Sequence, residues 1–270
     1  MVWAVSAGAA WRQTEMRFVA IFLLAFSLMI PPASAANEEC SARSGPTTAA
    51  LVELYTSEGC DSCPAADRWL SANFAALSSD AIALAFHVDY WDRLGWKDRF
   101  ASAAYTQRQN AAMRANGTTF IYTPQVLVQG RDHREWRQGT TANALASARK
   151  RNAQASIAAE ARSAGDDVVV SVEVDGPALR RLRAFVGLAY VDSGLVSEVK
   201  AGENRGARLL HDHVVRAFQT RSLDASPATL SVTLRRPAER GRHARVVVFV
   251  QDRVSGEVIQ ALALPLAGCI

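Results

Sequence analysis

A chain of 270 residues, 49% apolar and 21% charged, has the hydrophobic content for a real core in one large or two small domains, which excludes a disordered chain. Its net charge of +4 arises from basic residues scattered among acids rather than gathered in a stripe, which argues against nucleic acid as a partner.

In chain order, the first feature is an uncharged apolar run from Phe18 to Ile30, preceded by Arg12 and Arg17 and followed by Pro31-Pro32-Ala33-Ser34-Ala35. This is the pattern of a secretory signal over residues 1–35, so the mature chain is expected to be exported, periplasmic or secreted. The run falls short of the roughly 20 apolar residues that span a bilayer, and no later stretch is a second candidate, so no membrane anchor is expected after cleavage. Met16-Arg17 makes a more ordinary signal start than Met1. Asn37-Glu38-Glu39 is unlike the end of a lipoprotein signal, which leaves Cys40 free to pair, and residues 36–46 read as a linker.

Thr47 to Ser57 is a β-prone run, and Cys63 to Leu77 places Ala66, Leu70, Phe74 and Leu77 at helical spacing with Pro64 in the first turn. Ala81 to Val88 is a continuous apolar run of the kind found in strands covered on both faces. Together they read as a βαβ unit. Asp89 to Gly117 reads as an insertion, aromatic at first and then helical, stopped at Gly117. Tyr122 to Gln138 reads as strand, turn at Gln129-Gly130 and strand, and Thr140 to Arg162 as an Ala-rich helix. Beyond Gly165 five alternating or apolar runs without helices predict a β-sandwich. The expected boundary lies between Ala161 and Asp166, giving an α/β domain over 47–163 and a β-rich domain over 164–270.

The chemistry centres on Cys60-Asp61-Ser62-Cys63 at a strand-to-helix junction. A helix N-terminus stabilises a thiolate through unpaired N–H groups and its dipole, so Cys60 is expected to attack and Cys63 to resolve. Asp61, and Glu58 just upstream, disfavour a negative sulfur beside them. The pair is therefore expected to act as a reductant or isomerase fed by an upstream electron donor, with protein thiols or disulfides as partners and no cofactor. Tyr90, Trp91 and Trp96 are candidates to line a peptide groove, or else form the insertion's own small core. His211 and His213 read as exposed strand histidines. Cys40 and Cys269 are expected to pair in an oxidising compartment. Two other readings stand beside this one. In the first, Cys60–Cys63 is a permanent staple in a non-catalytic binding protein; in the second, Cys60, Cys63 and His87 hold copper.

The stretches VELYTSEGCDSCPAAD, ALAFHVDYWDRLGWKDRFAS, YTPQVLVQGR and GENRGARLLHDHVVR resemble the secreted bacterial thioredoxin-like family catalogued as domain of unknown function 1223. The resemblance runs from about Thr47 to the C-terminus. It implies a thioredoxin-like domain with a helical insertion, an added β-rich, sandwich-like region, and a place outside the cytoplasm; it supplies no substrate. It also implies that Thr123-Pro124 is a cis pair facing the cysteines, with Thr123 offering its backbone to a substrate strand. Glu53 takes nearly the place of the buried acid of thioredoxins, as a proton relay to Cys63 or else as a strand-end carboxylate.

Overall fold

The computed structural model describes residues 40–74 and 81–270, so the signal segment at Phe18–Ile30 and the helical position Leu77 lie outside the described residues. The elements in order are β1 (Cys40–Arg43), β2 (Ala50–Thr56), α1 (Cys63–Phe74), β3 (Ala81–His87), α2 (Ala103–Ala115), β4 (Gln125–Val128), β5 (Arg131–Asp132), α3 (Thr141–Arg149), β6 (Ser156–Ala164), β7 (Asp167–Asp175), β8 (Ala184–Asp192), β9 (Leu195–Glu198), β10 (Arg208–His211), β11 (Val214–Ser222), β12 (Ala228–Arg235), β13 (Arg245–Asp252) and β14 (Val258–Pro265).

β2 is buried at every position and runs parallel to β3, from Ala50 opposite Ala81 to Thr56 opposite His87. Its faces bury different partners. Val52 and Leu54 pack with Ala66, Leu70 and Phe74 of α1. Leu51 and Tyr55 pack with Phe86, with Tyr105 of α2, and with Val215 and Phe249 from much later in the chain.

That last contact overturns the expected architecture. A free-standing thioredoxin-like domain followed by a separate sandwich is not what the chain forms. β2 to β5 belong to one eight-stranded sheet, ordered β14-β13-β8-β11-β3-β2-β4-β5, which draws four strands from the C-terminal half. The join is parallel: Val214 lies opposite Ala85, and the Ala85 N–H donates to the His213 carbonyl at 2.7 Å. The sheet curls until β14 returns to the first strands, where Ala49 N–H donates to Gln260 Oε1 at 2.8 Å and Val258 N–H to the Gln129 carbonyl at 3.4 Å. Asn37–Ile270 forms a single compact unit. No separate sandwich forms: the four-stranded sheet β1-β6-β7-β12 covers the outer face of β8, β13 and β14, which belong to the eight-stranded sheet. Hydrophobic patterning marks strands well but carries no information about which strands lie side by side, and that is where the two-domain reading went wrong.

The Ala-rich segment also departs from expectation. Helix α3 ends at Arg149, and Ser156 to Ala164 is strand, with Ile157, Ala159 and Ala161 buried and Ser156, Glu160 and Arg162 exposed. This period of two matches the full register with β7, so pairing between two strands prevails over the helix preference of alanine.

Cys40 and Cys269 form a disulfide with Cα atoms 5.5 Å apart, tying edge strand β1 to the end of the chain at a separation of 229 residues. Loop-closure entropy sets its contribution at up to about 5 kcal/mol. A Cys40→Ser/Cys269→Ser variant should lose several kcal/mol of unfolding free energy in urea, and non-reduced peptide maps of the native protein should recover the two cysteines linked; a variant as stable as the parent would show that the staple does nothing for the fold.

Candidate functional site

The loop after β2 turns tightly. Cys60 N–H donates to the Ser57 carbonyl and Cys63 N–H to the Cys60 carbonyl, both at 3.2 Å, and α1 begins at Cys63. Cys60 and Cys63 are disulfide-bonded, with Cα atoms 5.4 Å apart. Both are fully buried, whereas Asp61 and Ser62 between them face solvent. Gly59 sits against Trp91, where a Cβ would stand 3.2 Å from the Trp91 Cβ, so glycine permits this close packing.

Behind the pair lies a feature that the sequence reading did not assemble. Five ionisable side chains, Glu58, Asp67, His87, Asp98 and His211, are buried together. His87 Nδ1 donates to Asp98 Oδ2 at 2.6 Å, and the same oxygen accepts the Glu58 N–H at 2.9 Å. Trp96 Nε1 donates to Glu58 Oε2 at 2.7 Å. His211 Nε2 stands 3.2 Å from Glu58 Oε1, and its Nδ1 is 4.0 Å from Asp67 Oδ2. The His87 and His211 rings lie 5.0 Å apart, with Phe100 edge-on to both. Asp67 follows Cys63 by one helical turn on the same buried face of α1.

Burial governs the ionisation of this cluster, modified by its pairs. Burial alone would depress His87, but the charge and hydrogen bond of Asp98, with Asp67 and Glu58 adding, raise its pKa above the ordinary value. Burial would raise Asp98, and the charge and hydrogen bond of His87 bring it below the carboxylate range. Burial likewise opposes ionisation of Glu58, yet His211, Ser197 and Trp96 outweigh it and the charge of Asp98, and its pKa falls. Asp67 goes the other way: burial raises its pKa, only partly offset by His211 and His87.

The expected site residues divide on inspection. The Thr123–Pro124 peptide is cis, and Trp91 Nε1 donates to Thr123 Oγ1 at 2.7 Å, linking this segment to the Cys60 loop. Tyr90 and Trp91 are half-buried against the inner core of the curled sheet, and Trp96 is committed to Glu58. Glu53 is not placed to serve Cys63. It points to the α2 side of β2, where Arg108 holds it at 2.7 Å and the Tyr55 hydroxyl donates to it at 3.1 Å. The Arg108 guanidinium lies over Phe86, Phe218 and Phe249, so this ion pair anchors α2 to the sheet. The copper set of Cys60, Cys63 and His87 is not assembled, since the sulfurs are bonded to each other and His87 Nδ1 is engaged by Asp98. Among the described residues no group of three or more His, Cys, Asp and Glu side chains is arranged to hold a metal ion. His211 and His213 are buried, not exposed. His213 lies apart from the cluster, accepting from Arg245, and burial and the Arg245 charge push its pKa down to about 3.

A third layer comes from residues 200–206, the tip of the β9–β10 hairpin. Asn204 Nδ2 donates to the carbonyls of Glu58 at 2.9 Å and Cys60 at 2.8 Å, and Glu203 Oε2 accepts the Asp61 N–H at 3.1 Å. This tip is the GENRG stretch. Its run of turn-forming and amide residues was the signal in the sequence, but nothing there indicates what it would touch.

The family described as Protein of unknown function (DUF1223) matches residues 51–251, from β2 through β13, and so spans the cysteine pair, the buried cluster and the hairpin tip. This chain belongs to the DUF1223 family. Among solved structures, a protein of Agrobacterium tumefaciens is 28% identical with a TM-score of 0.58, over 82% of this DUF1223 chain and 96% of its own. HBP35 of Porphyromonas gingivalis shares the fold with a TM-score of 0.59 at 13% identity, over 82% of this chain and 76% of its own. No curated protein matches the chain.

The His87–Asp98 pair gives a pH signature. A raised histidine pKa contributes stability that is complete below the unfolded value near 6.5 and is lost as pH rises through the folded one. A depressed Asp98 contributes above 3.8 and loses its share as pH falls through its folded value. Replacing His87 with Gln should therefore cost the most, about 3 kcal/mol for breaking a buried pair, near pH 5, with the deficit shrinking toward pH 9. A deficit that does not change with pH in urea unfolding would contradict the assignment.

Proposed function

We propose that this protein exchanges disulfides with the cysteines of other proteins through Cys60 and Cys63. The observation that carries the reading is the buried cluster of Glu58, Asp67, His87, Asp98 and His211 beside the pair. Burying that many ionisable groups costs several kcal/mol each unless they are paired, and a plain staple does not require it; such groups gather where protons are moved. The apolar leader at Phe18–Ile30 and two disulfides fit a compartment outside the cytoplasm.

In the reducing direction, the Cys60 thiolate attacks a substrate disulfide, forming a bond to one substrate sulfur and releasing the other as a thiolate that takes up a proton. Cys63 then loses its proton and attacks the Cys60 sulfur. The Cys60–Cys63 bond forms and the second substrate thiolate leaves. Two electrons pass to the substrate, and an external dithiol donor restores them. Asp67, on the same helix face as Cys63 and with a raised pKa, is the base for the Cys63 proton, in the role first assigned to Glu53.

Direction follows from charge. Glu58 two residues upstream, Asp61 next to Cys60, and Glu203, whose carboxylate accepts the Asp61 N–H, put negative charge near Cys60, which disfavours its thiolate and hence the reduced form. Solvent screens the two exposed ones. The pair is a reductant or isomerase rather than a strong oxidant.

The burial of both cysteines favours a second reading, a permanent staple in a binding protein. One experiment separates the two. Cys63→Ala should accumulate mixed disulfides on Cys60 with a cysteine-bearing polypeptide, and Cys60→Ala should accumulate none; a wild-type disulfide that exchanges with nothing, and no adduct in either variant, would leave the staple. In the intact pair, Asp67→Asn should slow resolution of the adduct by about 100-fold while leaving its formation unchanged. Equilibration with glutathione buffers should place the wild-type potential well below the roughly −120 mV of the strongest oxidants, with Asp61→Asn shifted upward. A wild-type value near that limit would overturn the direction.

A further inference from the structure

The Cys60–Cys63 bond is fully buried although the two residues between its sulfurs are exposed, and a segment more than 130 residues away in sequence is hydrogen-bonded to the main chain around Cys60. Hairpin tip 200–206 reaches the motif through side chains that reproduce main-chain bonding. The Asn204 amide supplies two N–H groups, to the Glu58 and Cys60 carbonyls, and the Glu203 carboxylate accepts the Asp61 N–H. A polypeptide lying alongside Cys60 presents the same pair of functions, N–H and C=O, along its backbone. The tip is also a closed unit. It springs from a closed base, where Val199 N–H donates to the Ala207 carbonyl at 2.9 Å and Gly206 N–H to the Val199 carbonyl at 2.8 Å. Within it, Gly202 and Gly206 adopt φ of 73° and 85°. Gly202 rests on Trp96, so closely that a Cβ there would stand 3.1 Å from the Trp96 Cβ.

We infer that residues 200–206 form a lid over Cys60 that occupies, in cis, the docking edge of a polypeptide substrate. The inference rests on the exchange reading for its substrate and on geometry alone for the lid. With the lid down, no thiolate reaches the Cys60 sulfur. With it lifted, the Glu58 and Cys60 carbonyls and the Asp61 N–H are freed for the main chain of an incoming cysteine-bearing segment. Substrates are thereby selected by their ability to replace the Asn204 and Glu203 hydrogen bonds, which a small thiol lacks.

The test measures access before activity. The full chain is treated with a water-soluble phosphine, and reduction of each disulfide is followed by alkylation and peptide mapping. Asn204→Ala, which removes two hydrogen bonds to the motif, and Gly202→Val, which crowds Trp96 and pushes the tip away from the motif, should each speed reduction of Cys60–Cys63 about tenfold. Cys40–Cys269, read in the same digest, should keep its wild-type rate. Unchanged rates in both variants would overturn the lid, as would equal acceleration of both disulfides, which means general loosening. A cysteine-bearing unfolded peptide, which can replace those bonds itself, should gain no more than the phosphine from Asn204→Ala. Should the peptide react with no variant while the phosphine rates rise, the exchange reading falls and the lid stands.

Discussion

One parallel strand contact holds this molecule's design together. Where β11 lies against β3, with the Ala85 N–H on the His213 carbonyl, the two halves of the chain become one sheet. The same contact sets β10, which ends two residues before His213, beside the end of β3. His211 is thereby placed against His87, and the hairpin that carries it is aimed at the Cys60 loop. Without that pairing the cysteine motif would have its helix and its strand, but neither the second imidazole nor its cover. The cover and the cluster therefore follow from the sheet order and are not separate additions to it.

The cluster also shows how a fold makes buried charge tolerable. Asp98 is satisfied by His87 and by backbone N–H groups of Glu58 and Phe100, and one oxygen of Glu58 by Trp96, while the other stands 3.2 Å from His211 Nε2. Asp67 stands 4.0 Å from His211 Nδ1, and it is the member whose pKa burial raises.

What could be read in the sequence was local. The β2–α1–β3 unit, the Cys60–Cys63 pair at the helix start and the turn at Gln129-Gly130 each follow from a few neighbouring residues, whereas the Cys40–Cys269 partners followed from the expected oxidising compartment. The site beyond the cysteines could not be read this way, because Glu58, Asp67, His87, Asp98 and His211 come from five different stretches of chain and meet only through the sheet order. Glu53 shows the same limit on a smaller scale. Its strand and depth were legible, but a strand alternates faces at every residue, and only the position of α2 decides that Glu53 meets Arg108 rather than the cysteines. In β6 the alternation of Ile157, Ala159 and Ala161 was visible in the text, yet alanine's helix preference obscured it.

The bond between Cys40 and Cys269 has a consequence for how this protein ages. It converts residues 40–269 into a covalent ring that contains every strand and helix described above. A protease that cuts an exposed turn of such a ring releases nothing: the two fragments stay joined, the sheet order that assembles the site is kept, and the nicked molecule runs at full mass until a reductant opens the ring. A single cut therefore separates the chain into two pieces only when reduction of Cys40–Cys269 accompanies it.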